Sequence, residues 1–353
     1  MMLFPDPRER DPADPEPGRV ESRSGSTVHT PVSNDHRPPS AAHRALLFAA
    51  ALVSALAPVV VPARAGAQAA PTRHTVSSDG HPMAVWEKRP AEPQTVILLL
   101  HGRTWSALPD FDLQVRGESL SLMDGLVGLG YAVYALDQRG YGATPRDETG
   151  WLTPDRAVAD LANVLAWIRE REGGRPVHLL GWSQGSLVSQ LTAQRHPDLV
   201  DRLVLFGYPF RPGMKPPVEE PSGDPPRRPT TAEAAASDFI TPGSISAEAV
   251  AAYVAVALAA DPVRVDWTRG HQWGALDPAE VRVPTLVLHG ERDPLAPFEA
   301  QAALFQGLGT PDRAWVVIPD GDHAAFLETP RPYFLAVVDA FLRQGGLPPG
   351  RQP

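Results

Sequence analysis

Five short, almost wholly apolar runs constrain this chain more than any other feature: Thr95–Leu100, Tyr131–Leu136, 177–180, Leu203–Phe206 and 285–288. A strand with one wet face alternates apolar and polar residues, whereas an unbroken run implies cover on both faces. Helical periodicity lies between the runs. In Pro154–Arg171, Val158, Leu161, Val164, Leu165 and Ile168 fall on one face, and Gly173-Gly174 ends the pattern. Further helices are expected at 119–129, 186–195, 299–307 and 332–343, with a last strand at 315–318. A hairpin is expected at 74–78 and 83–87, around the turn pair Asp79-Gly80. Strands separated by helices define an α/β class: a mostly parallel, doubly wound sheet of about eight strands with right-handed crossovers. Ligands in such sheets bind beyond the strands' C-terminal ends, so functional residues should stand just after strands.

The run at 177–180 leads into Gly181-Trp182-Ser183-Gln184-Gly185, a Gly-x-Ser-x-Gly turn followed directly by a helix. So tight a strand-to-helix turn strains the serine backbone and leaves no room for side chains two positions either side, hence Gly181 and Gly185. It would lift the Ser183 hydroxyl above the sheet, where the helix N-terminus aims free N–H groups. A nucleophile needs a base and an acid, and two later strand ends supply them. Asp293 follows the strand at 285–288, and His323 follows the last one. An imidazole would take the serine proton and pass it to the leaving group, while the carboxylate fixes the tautomer and stabilises the imidazolium. The loop His101-Gly102-Arg103-Thr104-Trp105 follows Thr95–Leu100, and the backbone N–H groups of Arg103 and Gln184 are the expected oxyanion donors.

Competing residues are weaker. His29, His36 and His43 precede the expected folded region, His178 begins its strand at the wrong end, and His196 suits a helix cap. His271 falls in the irregular stretch, and His289 suits packing. Asp320 and Asp322 crowd His323 in sequence and would reach its ring with poor geometry, and Glu291 is a further rival to Asp293. Trp105, Trp182, Tyr208 and Phe210 are the candidates for lining a substrate pocket.

Composition narrows the alternatives. A formal net charge of −9 with no basic run argues against nucleic acid and anionic membrane surfaces as partners. The absence of cysteine excludes disulfides, thiolate metal sites and a cysteine nucleophile. No metal or cofactor is expected, and the chain should be a monomer or a weak homo-oligomer. Residues 1–40, rich in Pro and charge, are expected to be disordered. Residues 41–67 read as a signal peptide: Arg44, an apolar run at 45–61, then Ala65-Gly66-Ala67, with cleavage near Ala67 and a secreted or periplasmic product. The alternative is an uncleaved membrane anchor with an extracytoplasmic catalytic domain; Pro58 and the shortness of the run argue against it.

Residues 74–345 resemble the α/β-hydrolase superfamily. The resemblance rests on His101-Gly102, Asp137-x-Arg139-Gly140-x-Gly142, Gly181-Trp182-Ser183-Gln184-Gly185, Gly290-x-x-Asp293-Pro294 and Gly321-Asp322-His323-x-x-Phe326-Leu327-Glu328. It implies a hydrolase domain at 68–353, with core segments 74–207 and 276–345 and a substrate-covering cap at 208–275 after the sixth strand. Serine at the nucleophile position disfavours the epoxide hydrolases and haloalkane dehalogenases, which place Asp there. Arg103-Thr104 makes the Gly-Gly-Gly-type esterases and lipases a poorer match. The Asp137–Gly142 loop is similar to that of lysophospholipase-like and ester-hydrolysing relatives, where it braces neighbouring loops. The resemblance thus implies a small-molecule ester as substrate, cleaved through an acyl-enzyme. Carbon–carbon bond hydrolysis, perhydrolysis and prolyl aminopeptidase-like cleavage use the same residues. A catalytically silent binding protein is the reading from another class.

Overall fold

The computed structural model describes residues 70–344 apart from 219 and 222, all within one compact unit of the chain. The expectations for residues 1–67 lie outside the described residues. Eight strands form the main sheet: β1 (Thr72–Ser78), β2 (His81–Lys88), β3 (Thr95–Leu100), β4 (Tyr131–Leu136), β6 (Val177–Trp182), β7 (Leu203–Phe206), β9 (Thr285–Gly290) and β10 (Arg313–Ile318). Their order across the sheet is β1-β2-β4-β3-β6-β7-β9-β10. The β1–β2 and β2–β4 pairs are antiparallel, and all the others are parallel. The chain steps from β3 to β4 on one side, then crosses back to β6 on the other. That reversal opens a crevice at the C-terminal ends of β3 and β6.

The unbroken apolar runs are explained by helices on both faces. Ile97, Leu99, Val133, Ala135, Leu180, Val204, Leu286 and Leu288 share one cluster with α2 (Leu122–Gly128) and α8 (Arg331–Leu342). The alternate residues face the other way, where Tyr134 meets Trp167 of α3 (Pro154–Arg171) edge-on at 6.2 Å. The predicted stripe on α3, from Val158 to Ile168, is buried. Burying such a side chain contributes about 1.5–3 kcal/mol. Thr153 caps the helix by accepting from Arg156 N, with Pro154 in its first turn.

Boundaries differ where side chains decide them. The helix expected from 119 begins at Leu122, because the Ser121 hydroxyl accepts from Asp124 N at 2.9 Å and caps it there. The helix expected from 186 is α4 (Gln184–Arg195) and starts immediately after the turn serine. The five-residue α1 (Ala107–Phe111) is too short to show a period.

The segment between β7 and β9 holds α5 (Ala232–Ala236), α6 (Ala247–Ala260) and the two-residue β8 (Asp266–Trp267). β8 pairs with β5 (Trp151–Leu152), a parallel contact that no sequence period announces. On α6, Ala249, Tyr253 and Ala257 form the buried stripe, and Tyr253 meets Trp105 edge-on at 6.5 Å. Among the described residues no helix is long and apolar enough to cross a membrane.

Candidate active site

Ser183 sits between β6 and α4 with φ 54° and ψ −124°, a strained conformation for a residue bearing a Cβ. The flanking glycines explain how the turn closes. A Cβ on Gly181 would lie 2.5 Å from Gly185 O, and one on Gly185 would lie 2.5 Å from Leu100 O. Ser183 N donates to Phe206 O at 2.9 Å, which ties the strained residue to β7.

The imidazole arrives from the loop after β10. His323 Nδ1 donates to Asp293 Oδ2 at 2.8 Å, both groups being buried. The carboxylate can only accept, which fixes Nδ1–H and leaves Nε2 as the base nitrogen. Leu295 N donates to Asp293 Oδ1 at 2.9 Å and holds the carboxylate in place. Trp182 Nε1 donates to His323 O at 2.7 Å, so the residue before the serine also positions the base. Gly207, at φ 59°, lies against this pair: a Cβ there would sit 3.0 Å from His323 Cε1 and 3.4 Å from Asp293 Oδ2. Among the described residues no hydrogen bond joins Ser183 to His323. Such contacts often tighten only when substrate binds.

Burial alone would push the His323 pKa down, but the Asp293 carboxylate outweighs it and the net direction is upward. Asp238, in the segment between β7 and β9, is a further carboxylate that favours the charged ring. Burial raises the Asp238 pKa to about 6, with His323 the largest opposing influence. Tyr253 donates toward both Asp238 (3.1 Å) and Asp110 (2.9 Å). Burial and Asp238 push the Asp110 pKa well above the usual carboxylate value. Sequence reading did not find this buried group, in which Asp110 stands 143 positions from Tyr253.

The rival carboxylates are otherwise engaged. Asp322 accepts from Ala324 N and Thr241 N, Asp320 pairs with Arg292 at the surface, and Glu291 accepts from Asp320 N. Of the other histidines, His178 contacts Thr95 and Asp201, His196 caps α4, and His289 stacks on Trp315.

The loop after β3 approaches the serine closely: a Cβ on Gly102 would lie 3.4 Å from Ser183 Cβ. Among the described residues neither Arg103 N–H nor Gln184 N–H has a partner. The peptide bonds flanking Arg103 are both clamped. His101 Nδ1 donates to Gly102 O at 2.9 Å, and Gln138 N donates to His101 Nε2 at 3.0 Å. Burial lowers the His101 pKa to about 4, so the ring stays neutral in this role. In a trans peptide the C=O and N–H point opposite ways, so holding Gly102 O aims Arg103 N–H away from His101. On the other side, Tyr141 OH donates to Arg103 O and accepts from Trp267 Nε1 at 2.8 Å. Asp261 accepts from Ser106 N and Gly142 N, both at 2.8 Å. The Asp137–Gly142 loop braces its surroundings: Asp137 accepts from Ala107 N, Trp86 Nε1 and Ala143 N, and Arg139 forks onto Asp160.

The four expected pocket aromatics are all buried. Trp182 lies against His323, with ring centroids 5.4 Å apart, and Trp105 packs on Tyr253. Tyr208 is bound through its carbonyl to Gln301 of α7 (Phe298–Gly307), and Phe210 is buried in the same stretch. Among the described residues no group of three or more His, Asp or Glu could hold a metal ion.

An eight-stranded, mostly parallel sheet with a strained serine after β6 and an Asp–His pair after β9 and β10 defines a member of the α/β-hydrolase superfamily. Residues 91–330 match the sequence model of one family within it, and the chain belongs to that family, described as "Serine aminopeptidase, S33". It is similar to the serine hydrolase BPHL of Homo sapiens, at 26% identity over 170 residues. That match covers 46% of this chain and 54% of the human protein, about half its length. The Mus musculus protein of that name is 26% identical over 253 residues, covering 67% of this chain and 75% of its own. The lysophosphatidylserine lipase ABHD12 of Macaca fascicularis is 29% identical over 119 residues, covering 34% of this chain and 27% of its own. Among solved structures, the 2-hydroxy-6-oxo-6-phenylhexa-2,4-dienoate hydrolase of Rhodococcus sp. strain RHA1 superposes with TM-score 0.56 at 18% identity. It covers 78% of this chain and 99% of its own, a likeness of fold.

Proposed function

We propose that the chain hydrolyses a carboxylic ester of small to medium size through an acyl-enzyme, with Ser183 as nucleophile, His323 as base and Asp293 as its orienting acid. The observation that carries this reading is the buried His323–Asp293 hydrogen bond at 2.8 Å beside a serine held at φ 54°. Ser183 Oγ attacks the carbonyl carbon as His323 Nε2 takes its proton. The negative charge on the carbonyl oxygen is received by Arg103 N–H and Gln184 N–H. The tetrahedral intermediate collapses as the imidazolium returns the proton to the leaving alcohol. Water, deprotonated by the same nitrogen, then releases the acid through a second oxyanion. One such donor is worth roughly 10²–10³ in rate. An ester asks least of this set, because its alcohol leaves with the one proton His323 carries, while a carbon–carbon substrate must first tautomerise. Peptide-bond cleavage is the second reading, favoured by the description of the family.

A fluorophosphonate probe should label the wild-type protein and not Ser183→Ala; no labelling of wild type between pH 6 and 9 would sink the mechanism. Among labelled samples, p-nitrophenyl esters tested against diketones and proline amides separate the bond types. We also propose export with cleavage near Ala67, for which N-terminal sequencing should begin near Gln68.

A further inference from the structure

Two carboxyl groups meet one phenol at the seam between the core and the segment joining β7 to β9. The Tyr253 hydroxyl of α6 lies 2.9 Å from Asp110 Oδ1 of α1 and 3.1 Å from Asp238 Oδ2, just past α5. It has one hydrogen to give, so full bonds to both carboxyls need a second proton, on one of them. Asp110 is the carboxyl placed to keep it. It is wholly buried, its Oδ2 has no partner, and among the described residues no cation pairs with it. An ionised carboxylate so placed would be far costlier than a neutral acid. The titratable groups facing Asp110 are Tyr253, Asp238 and Asp261, the last just past α6, and burial with the two carboxylates disfavours its charge. Of its other neighbours, β3 presents no titratable side chain, Asp137 beyond β4 takes Ala107 N, and Asp112 at the end of α1 takes Lys88. His323 and Arg264 instead favour the charged form of Asp238.

Asp238 also begins a strap. Thr241 N donates to Asp322 Oδ2, the Ser244 hydroxyl donates to Glu328 at 2.7 Å, and Thr329 N and Oγ1 both donate to Ser244 O at 2.8 Å. Asp322 directly precedes His323, and its N–H donates to Glu328 at 3.1 Å. At the other end Tyr253 meets Trp105 of the loop after β3, and Asp110 belongs to the helix that follows that loop. Residues 238–244 therefore run between the loop that carries Arg103 and the loop that carries His323. We propose that Asp110 is a neutral carboxylic acid in the folded protein, that it donates to Tyr253 while Tyr253 donates to Asp238, and that this proton fastens the strap, making Asp110 a positioning residue for His323. Loss of the proton leaves two carboxylates competing for one hydroxyl hydrogen, and like charges repel. The bond is complete below the unfolded carboxyl pKa of about 3.9 and is lost as pH rises through the higher folded value, so the strap loosens toward alkaline pH.

Infrared difference spectra of the full-length protein with carboxyl-labelled aspartate, taken at pH 7, test the proton. Wild type should show the C=O stretch of a protonated carboxyl that Asp110→Asn lacks and Asp238→Asn keeps. No such band, or one lost only in Asp238→Asn, would overturn the assignment. Hydrogen exchange of residues 238–244, corrected for its intrinsic pH dependence, tests the strap. An asparagine amide donates to Tyr253 as the acid does, so Asp110→Asn should match wild-type protection at pH 6 and hold it at pH 9, where wild type should exchange about 10-fold faster. Tyr253→Phe loses both bonds and should exchange at least about 10-fold faster at either pH. Equal protection in all three proteins would sink the strap. Kinetics on a p-nitrophenyl ester read the base. The kcat, rather than KM, should fall about 10-fold in Tyr253→Phe and on the alkaline side of the wild-type profile, and Asp110→Asn should lack that alkaline limb. A lowered Tm in Tyr253→Phe, with the limb unchanged in Asp110→Asn, would reduce the group to a structural contact and refute the positioning role. Absence of cleavage of any ester would overturn the ester reading, and the spectra and exchange would still judge the strap.

Discussion

Replacing Tyr141 by Phe removes one oxygen that two partly buried groups depend on. The ring is buried; its hydroxyl donates to Arg103 O and accepts from Trp267 Nε1 at 2.8 Å. With the oxygen gone, a carbonyl and an indole N–H lose their partner in a place water reaches poorly. Each such orphan costs about 1–3 kcal/mol. Taking the low end for both, about 2 kcal/mol, Tm should fall by roughly 3–4 °C for a domain of this size. The kinetic effect is separate. Arg103 N–H is aimed by two clamps, the His101 bond to Gly102 O and the Tyr141 bond to Arg103 O, and the variant loses one. Complete loss of an oxyanion donor costs 10²–10³ in kcat, so a half-clamped donor should cost about 10- to 100-fold. Both acylation and deacylation pass through an oxyanion, so the loss should appear in kcat whichever step limits. KM should stay within about three-fold, since a ground-state carbonyl leans little on this donor. Stopped-flow and steady-state kinetics on a p-nitrophenyl ester, with calorimetric Tm, decide the matter. A fall in Tm with kcat unchanged would reduce Tyr141 to a packing residue and refute the clamp.

Four further outcomes follow. Asp293→Asn should lower kcat by about 10⁴, as expected when the imidazole loses its orienting carboxylate. Wild-type kcat/KM should fall as pH drops through a His323 pKa above 6.5, because only the neutral ring accepts a proton; any residual activity of Asp293→Asn should show this limb displaced to lower pH. Gly207→Ala should lose at least about 10-fold in activity for about 1–2 kcal/mol of stability, since its Cβ would meet His323 Cε1 at 3.0 Å from a left-handed backbone; activity like wild type would mean the ring has room to move. Burial and the Asp322 carboxyl raise the Glu328 pKa to about 8, above its unfolded value. The folded protein therefore holds an extra proton, and this group's stabilisation is complete below pH 4.5 and lost as pH rises through 8, at most about 1.4 kcal/mol per pH unit. In Glu328→Gln thermal melts should lose that slope; an unchanged slope would place the proton elsewhere.

Much of this architecture was legible because local pattern and tertiary burden agreed. Strands Thr95–Leu100, Tyr131–Leu136 and Leu203–Phe206 and helix Pro154–Arg171 stand at their expected limits. Each carries its own signal: an apolar run, a one-face stripe or a capping residue. Ser183, Asp293 and His323 could be placed because a parallel sheet gathers the residues following its strands at one edge. What escaped had no local signature. Asp238, Asp110 and Tyr253 meet across more than a hundred residues of chain, and β5 and β8 are too short for any period. Tyr141 and Trp267 are ordinary aromatics until the fold joins them. Arg103 was chosen for its backbone N–H, and its sequence neighbours gave no sign that its carbonyl would be held by Tyr141.

The anchoring of the loop after β3 by Asp261 and Trp267 bears on how this protein could be re-engineered. Exchanging the whole segment between β7 and β9 for that of a relative looks like a clean way to change specificity. Such a chimera would also discard the carboxylate that holds Ser106 and Gly142 and the indole behind Tyr141. It would lose turnover on every substrate, and a screen would misread that loss as a failed pocket. Graft boundaries that retain residues 261–267 keep the two properties separable.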